Sequence, residues 1–275
     1  MSSKQSTEPV PVGTLLLIGK LSGQDDLALK TTEASARMNV ILKCFIKLTG
    51  VRKPVIEVIT STGSADPVAF YWQITKNLEK IGNCTVNHIH AFLKQDHCPD
   101  DLLTRISRAD GIFFADGDQL KICRTYARSQ LFSLIRHRYM NERLVVAGLN
   151  AGAMALSTLL IYYDSPAYDD ALSGLKVTTG LKLLGNVCID TRFPWRGRIE
   201  RMATVLADNP KAIGLSIHKD TALIIKSGTE ATTVGYGAVV ITNTGKRNAH
   251  EPAFKKYLQV LLLLDGETYS FRQFA

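Results

Sequence analysis

The sequence predicts an α/β fold: a mostly parallel central sheet with helices on both faces, a nucleophile-elbow strand–turn–helix, and antiparallel strands added in the C-terminal third. Three observations carry this prediction. Short apolar runs alternate with helically spaced apolar positions from residue 13 to residue 150, the pattern of a parallel sheet covered on both sides. Gly148-Leu149-Asn150-Ala151-Gly152 lies between a strand-like run, Arg143-Leu144-Val145-Val146-Ala147, and a helix-like run, Ala153-Met154-Ala155-Leu156-Ser157. After residue 180 the texture changes to short strand-like runs separated by tight turns.

Each element has a local reason. Gly13-Thr14-Leu15-Leu16-Leu17-Ile18-Gly19 is a short apolar run ending in glycine and reads as a buried parallel strand. Gly19-Lys20 is not a phosphate loop: the spacing back to Gly13 is wrong, and Leu21 stands where Ser or Thr would bind magnesium. Ser35 to Leu48 has helical spacing through Met38, Ile41, Leu42, Phe45 and Ile46. Pro54 to Thr60 is a second strand, ending in Ser61-Thr62-Gly63-Ser64. Asp66-Pro67 starts a helix, proline being favoured in the first turn, which runs to Ile81 and stops at Gly82. Cys84 to Ile89 is a strand, Asp100 to Arg108 a short helix, Gly111 to Phe114 a strand and Arg124 to Arg138 a long helix. Ala212 to Ile217, Thr221 to Lys226, Thr232 to Val234 and Ala238 to Thr242 extend the sheet or form a small second one. With no Gly, Ser or Pro linker and no repeat, residues 1–275 read as one domain, with 1–11 as a flexible tail. Ligands of such sheets bind beyond the carboxyl ends of the strands, so Gly19-Lys20, Ser61-Thr62, Ala115 to Gln119 and Asn150 should share one rim.

Composition excludes several classes. The hydrophobic fraction of 45% supports a full core, yet no run of about 18 apolar residues offers a spanning helix. The polar start, Met1 to Pro9, lacks the apolar region of a secretory signal. Five scattered cysteines, with no zinc-type spacing, suit free thiols and a cytoplasmic location. Asn83-Cys84-Thr85 is then a chance sequon. No metal or cofactor is expected. The net charge is +8, but Lys and Arg are spread along the chain rather than gathered in a nucleic-acid footprint; the exception is the cluster from Arg192 to Arg201.

The elbow is the chemically informative element. Such a turn projects one side chain from the end of a sheet, and hydrolysis needs Ser or Cys there. Asn150 has an amide that no neighbouring base converts into a nucleophile. Further motifs follow in order: Gly111-Ile112-Phe113-Phe114-Ala115-Asp116-Gly117-Asp118-Gln119-Leu120, Ile189-Asp190-Thr191-Arg192-Phe193, Arg196-Gly197-Arg198-Ile199-Glu200-Arg201, and Gly214-Leu215-Ser216-Ile217-His218-Lys219-Asp220-Thr221-Ala222. Over roughly residues 12–243 the chain resembles the cyanophycinase family of peptidases (family S51). The elbow is similar to that family's Gly-Thr-Ser-Ala-Gly-Ala, and the later motifs to its Ile-Asp-Gln-His-Phe and Gly-Ile-Gly-Ile-Asp-Glu-Asp-Thr-Ala.

The resemblance implies a serine hydrolase acting on cyanophycin or aspartyl peptides, commonly a homodimer. It also implies that all three catalytic slots are substituted: Asn150 replaces the serine, Arg192 the histidine and Lys219 the acid. Arginine stays protonated and cannot serve as a general base. The ligand-binding residues it implies are Gln119, Asp190, Arg196, Arg198 and Arg201, with Gly117 and Ala151 as the remnant of an oxyanion hole. Asp116 departs from the family's paired glycines and places a carboxylate where it would repel an oxyanion. The bland alternatives are that Asn150 merely tolerates elbow backbone angles, that the arginines form a solvated helix start, and that His218 is a surface histidine. The expectation is a pseudoenzyme able to hold an aspartyl or arginyl peptide or a cyanophycin-like polymer. An active hydrolase using other residues and a structural partner subunit are the alternatives.

Overall fold

The computed structural model describes residues 9–22, 32–61, 67–90, 99–163, 174–193, 198–244 and 258–271. The expected tail lies largely outside the described residues, as do Thr62, Arg196 and Cys98. In chain order the elements are β1 (Thr14–Ile18), α1 (Thr32–Thr49), β2 (Val55–Thr60), α2 (Pro67–Ile81), β3 (Thr85–His90), α3 (Asp100–Arg108), β4 (Gly111–Phe114), α4 (Gln119–Tyr126) and α5 (Gln130–Asn141). Then follow β5 (Val145–Leu149), α6 (Ala151–Ala155), β6 (Leu159–Tyr163), β7 (Leu175–Thr179), β8 (Val187–Phe193), α7 (Arg198–Asp208), β9 (Ile213–His218), β10 (Thr221–Lys226), β11 (Glu230–Gly235), β12 (Val239–Thr244), β13 (Leu258–Leu263) and β14 (Thr268–Ser270).

The apolar run of β1 takes the centre of the larger sheet because both its faces are covered. That sheet has the order β14-β11-β10-β1-β5-β4-β2-β3. The pairs β1–β5, β5–β4, β4–β2 and β2–β3 are parallel, and β10, β11 and β14 extend it antiparallel. On one face Leu16 and Ile18 pack with Met38, Ile41 and Phe45 of α1 and Ile74 and Leu78 of α2. On the other, Leu15 and Leu17 belong to a cluster with Ile135 and Tyr139 of α5 and Leu215 and Ile241 of the second sheet. That second sheet runs β13-β12-β9-β8-β6-β7, with β8 parallel to both neighbours. The C-terminal strands therefore do both things the sequence allowed: β10 and β11 extend the first sheet, while β9 and β12 build the second.

One expected element is corrected. The long helix over residues 124–138 is two helices, α4 and α5, broken at Ala127-Arg128-Ser129. Ser129 sits in extended backbone as an N-cap, its hydroxyl accepting from Phe132 N at 3.1 Å and donating to the Tyr126 carbonyl at 2.9 Å. The break is hidden in the sequence because Ala127-Arg128-Ser129 contains neither glycine nor proline.

Parallel pairing aligns the rim. Ile18 stands opposite Leu149, Gly148 opposite Phe114, and Phe114 opposite Ile59. Asn150 N donates to the Ile18 carbonyl and Ala115 N to the Ile59 carbonyl, each at 2.9 Å. Gly19, Asn150, Ala115 and Thr60 thus follow one another along the carboxyl edge of the sheet.

Candidate active site

The elbow forms because two glycines permit close approaches and one residue takes the strain. A Cβ on Gly148 would lie 2.7 Å from the Ala153 backbone, and one on Gly152 would lie 2.3 Å from the Phe114 carbonyl oxygen. Neither glycine has positive φ; the strained residue is Asn150, at φ 48° and ψ −108°. Asparagine tolerates the left-handed helical region, but there ψ is positive, so that tolerance explains the φ and not the ψ. Such a conformation costs about 1–3 kcal/mol and persists only where its surroundings fix it.

Those surroundings are specific. Asn150 Nδ2 donates to both oxygens of Asp116 at 2.9 Å, and Thr191 Oγ1 donates to Asn150 Oδ1 at 2.6 Å. Asn150 and Thr191 are both buried. Asp116 Oδ1 also accepts from Gly117 N at 2.7 Å and from Ala151 N at 3.3 Å. These two amides are the expected oxyanion donors. One oxygen of an internal carboxylate thus takes both of them.

Thr191 reaches Asn150 because β8 bulges. Asp190 pairs with Ser216 and Phe193 with His218, so Thr191 and Arg192 together face Ile217. Such a two-against-one bulge re-aims side chains at sites of this kind. The family's histidine slot, Arg192, falls in that bulge; its side chain lies outside the described residues.

The wall under α7, on the face of β8 opposite Thr191, is an ion pair. Arg201, on α7, donates a short charge-assisted hydrogen bond to Asp190 and another to Tyr163 Oη at 3.0 Å, with its guanidinium over the Tyr163 ring. Arg201 is 3% exposed and Asp190 1%, so the two charges are held against each other rather than offered to solvent. Burial works against the charged guanidinium, but the Asp190 carboxylate and the Tyr163 hydroxyl outweigh it and raise its pKa. Gln119, the first residue of α4, donates to the Ile161 carbonyl at 3.1 Å. Arg198 begins α7, but its side chain, like all of Arg196, lies outside the described residues.

The position expected for the acid lies in the turn that carries the chain from β9 in the second sheet to β10 in the first. Lys219 is exposed there, while Asp220, at φ 56°, is buried. Asp220 accepts from Ser22 N at 2.7 Å and binds the Ser22 hydroxyl, tying the turn to the chain after β1. A Cβ on Gly19 would come within 2.0 Å of the His218 carbonyl, which explains the glycine at the end of β1. His218 is half-buried, and burial lowers its pKa. Among the described residues no group of His, Cys, Asp or Glu is arranged to hold a metal ion.

Sequence reasoning thus brings Asn150, Asp116, Gly117 and Ala151 to one point, and Asp190 with Arg201 to another. Thr191 can be set beside Asn150 from the sequence as a hydroxyl without a base, but not as its hydrogen-bond donor, and Tyr163 is missed as the partner of Arg201. The first depends on the bulge and the second on β6, for which the sequence reading offers no strand.

A sheet edge, a strained elbow and two amides beside it define the class: an α/β fold of the hydrolase-elbow type, with asparagine at the tip. The sequence model of peptidase family S51 matches residues 29–233, and the chain belongs to that family. It is similar to the cyanophycinase of Synechococcus elongatus, 27% identical over 254 residues, covering 90% of this chain and 79% of the relative. It is also similar to that of Trichormus variabilis, 25% identical over 241 residues, covering 85% and 80%. Its fold matches the crystal structure of a peptidase from an acI-B1 actinobacterium with a TM-score of 0.68 at 20% identity, covering 96% of this chain and 99% of that one. A putative peptidase E from Listeria monocytogenes matches with a TM-score of 0.54 at 15% identity, over 82% and 99%.

Proposed function

We propose that this chain is a catalytically silent, cyanophycinase-like member of the family, a pseudoenzyme without serine peptidase activity. The observation that supports the reading is the arrangement at the elbow. The tip residue is an amide held on both sides, by Asp116 and by Thr191, and the amides of Gly117 and Ala151 already hold the Asp116 carboxylate. A peptidase needs a nucleophile and an unoccupied set of donors aimed at its tetrahedral intermediate. This elbow has asparagine in place of the first, and Asp116 takes the second.

An aspartyl or arginyl peptide is the ligand the family suggests, since the relatives carry the name cyanophycinase. Gln119 and Arg201, two of the residues expected to bind it, are engaged with Ile161, Asp190 and Tyr163. The reading therefore expects at most weak binding. A homodimer belongs to the reading and is supported by edge strand β13, whose Val260, Leu261 and Leu262 are exposed. A cytoplasmic location is supported by the unpaired thiols Cys44, Cys84, Cys123 and Cys188. Among the described residues no helix is long and apolar enough to cross a membrane.

The test is incubation of the purified chain with cyanophycin, followed by measurement of released β-aspartyl-arginine. No release above a protein-free control is expected. Release that Asn150→Ala abolishes would establish an active hydrolase instead. Calorimetric titration with β-aspartyl-arginine tests the binding half: little or no heat at millimolar ligand is expected, and clear saturable binding would show a pocket independent of Gln119 and Arg201.

A further inference from the structure

We propose that Asn150 is a self-modification site, at which the elbow closes the asparagine side chain onto the following backbone nitrogen to form a succinimide. The inference rests on the elbow geometry and not on the absence of peptidase activity.

The backbone supplies the first condition. A succinimide contains the Cα–C bond of the asparagine, so the next residue's nitrogen must eclipse Cβ about that bond. On a tetrahedral L-carbon, Cβ stands a third of a turn from the backbone nitrogen. A ψ of −108° therefore brings the Ala151 nitrogen almost into eclipse with Cβ of Asn150. Neither helical nor extended backbone does this, which is one reason ordinary secondary structure protects asparagine. Ring closure from the elbow needs rotation about Cα–Cβ, with no change of backbone. The strain that holds the elbow is already a step towards the reacting geometry.

The side chains supply the rest. Asp116 Oδ1 accepts from Ala151 N at 3.3 Å, the attacking nitrogen, and from Asn150 Nδ2 at 2.9 Å, the leaving nitrogen. Before that rotation, one carboxylate oxygen thus accepts from both nitrogens the reaction uses. Thr191 Oγ1 donates to Asn150 Oδ1 at 2.6 Å, the oxygen on which negative charge develops.

The step balances without a co-reactant. The Ala151 nitrogen forms a bond to Asn150 Cγ and gives its proton to Asp116. The resulting tetrahedral centre carries its charge on Oδ1, the oxygen to which the Thr191 hydroxyl donates before closure. The Cγ–Nδ2 bond then breaks, the proton returns from Asp116 to Nδ2, and ammonia leaves. Hydrolysis of the imide to aspartate or isoaspartate would need water, and Asn150 and Thr191 are 2% and 0% exposed. The imide should therefore accumulate. Its formation removes the Ala151 N–H and leaves Gly117 N as the donor to Asp116.

The experiment follows the full-length protein by intact mass and peptide mapping at physiological temperature and pH. A parallel sample is held unfolded in guanidinium chloride. Expected in the folded protein is loss of the mass of one ammonia from the peptide containing Asn150, at least about tenfold faster than in the unfolded chain. Hydroxylamine, which opens succinimides, should cut the chain between residues 150 and 151. Asp116→Asn should slow the folded reaction by about 100-fold or more. Thr191→Val should slow it as well, and Thr191→Ser should restore the rate; this pair keeps the test decisive if Asp116→Asn does not fold. An Asn150 peptide that keeps its amide mass in the folded protein while the unfolded chain loses ammonia would overturn the proposal. A folded Asp116→Asn variant reacting at the wild-type rate would do the same.

Discussion

The elbow and the wall under α7 answer the same problem with different physics. At the elbow a strained backbone is held by directional hydrogen bonds among Asp116, Asn150 and Thr191. At the wall, Asp190 and Arg201 are two buried charges held mainly by each other, with Tyr163 as a third partner. Here each is closed on itself, the first by a carboxylate among amides and the second by a carboxylate on a guanidinium. The difference is in what removal of one member should cost, because an orphaned buried charge is far more expensive than an orphaned amide.

The largest effect is therefore expected at the wall. Asp190→Ala leaves Arg201 buried without its counter-charge and should lower unfolding stability by about 3–5 kcal/mol in denaturant titration. Replacing both members with apolar residues of similar volume should cost much less; equal losses in the single and double variants would show that the pair is not a closed unit. Gly152→Ala should come next, by about 2–3 kcal/mol, because its Cβ would strike the Phe114 carbonyl rather than a movable side chain. Thr191→Val leaves Asn150 Oδ1 without the hydroxyl donor and should cost about 1–3 kcal/mol. Away from both regions, Ser129→Ala removes the N-cap of α5 and should cost about 1 kcal/mol.

The smallest effect is a pH dependence. Burial lowers the pKa of His218 and of His88, the latter helped by His90 and Arg105. The unfolded chain takes up protons near the ordinary imidazole value of about 6.5, before the folded chain does. The contribution of these histidines is therefore fully present above that pH and declines as pH falls through it. Both rings are partly exposed, so the slope should be shallow. Stability that rises on acidification through this window in the wild type, but not in His218→Gln, would reverse the assignment.

Much of this was legible in the residues. The β1 run, the helix over Asp100–Arg108, the proline start of α2 and the elbow each carry a local cause that acts within a few residues. Their shared rim follows from parallel pairing alone. What stayed hidden depends on contacts distant in sequence. The cap at Ser129 is masked because no glycine or proline marks the break between α4 and α5. The bulge that turns Thr191 to Asn150 exists only because β8 pairs with β9 out of step. Arg201 carries the sequence signature of an anion ligand, and nothing local says that Asp190 and Tyr163 already satisfy it. Asp116 was visible as a departure from paired glycines, but that its carboxylate takes the amides of both Gly117 and Ala151 is a fact of three dimensions.

The central claim is that the protein's own carboxylate fills its oxyanion hole. Its most direct measurement compares cyanophycin turnover by two variants. The first, Asn150→Ser with Arg192→His and Lys219→Glu, restores the three family side chains; the second adds Asp116→Gly. Turnover should be at least about 100-fold higher in the second, because only there are the amides of Gly117 and Ala151 available to the tetrahedral intermediate. Equal, measurable turnover in both would contradict the claim.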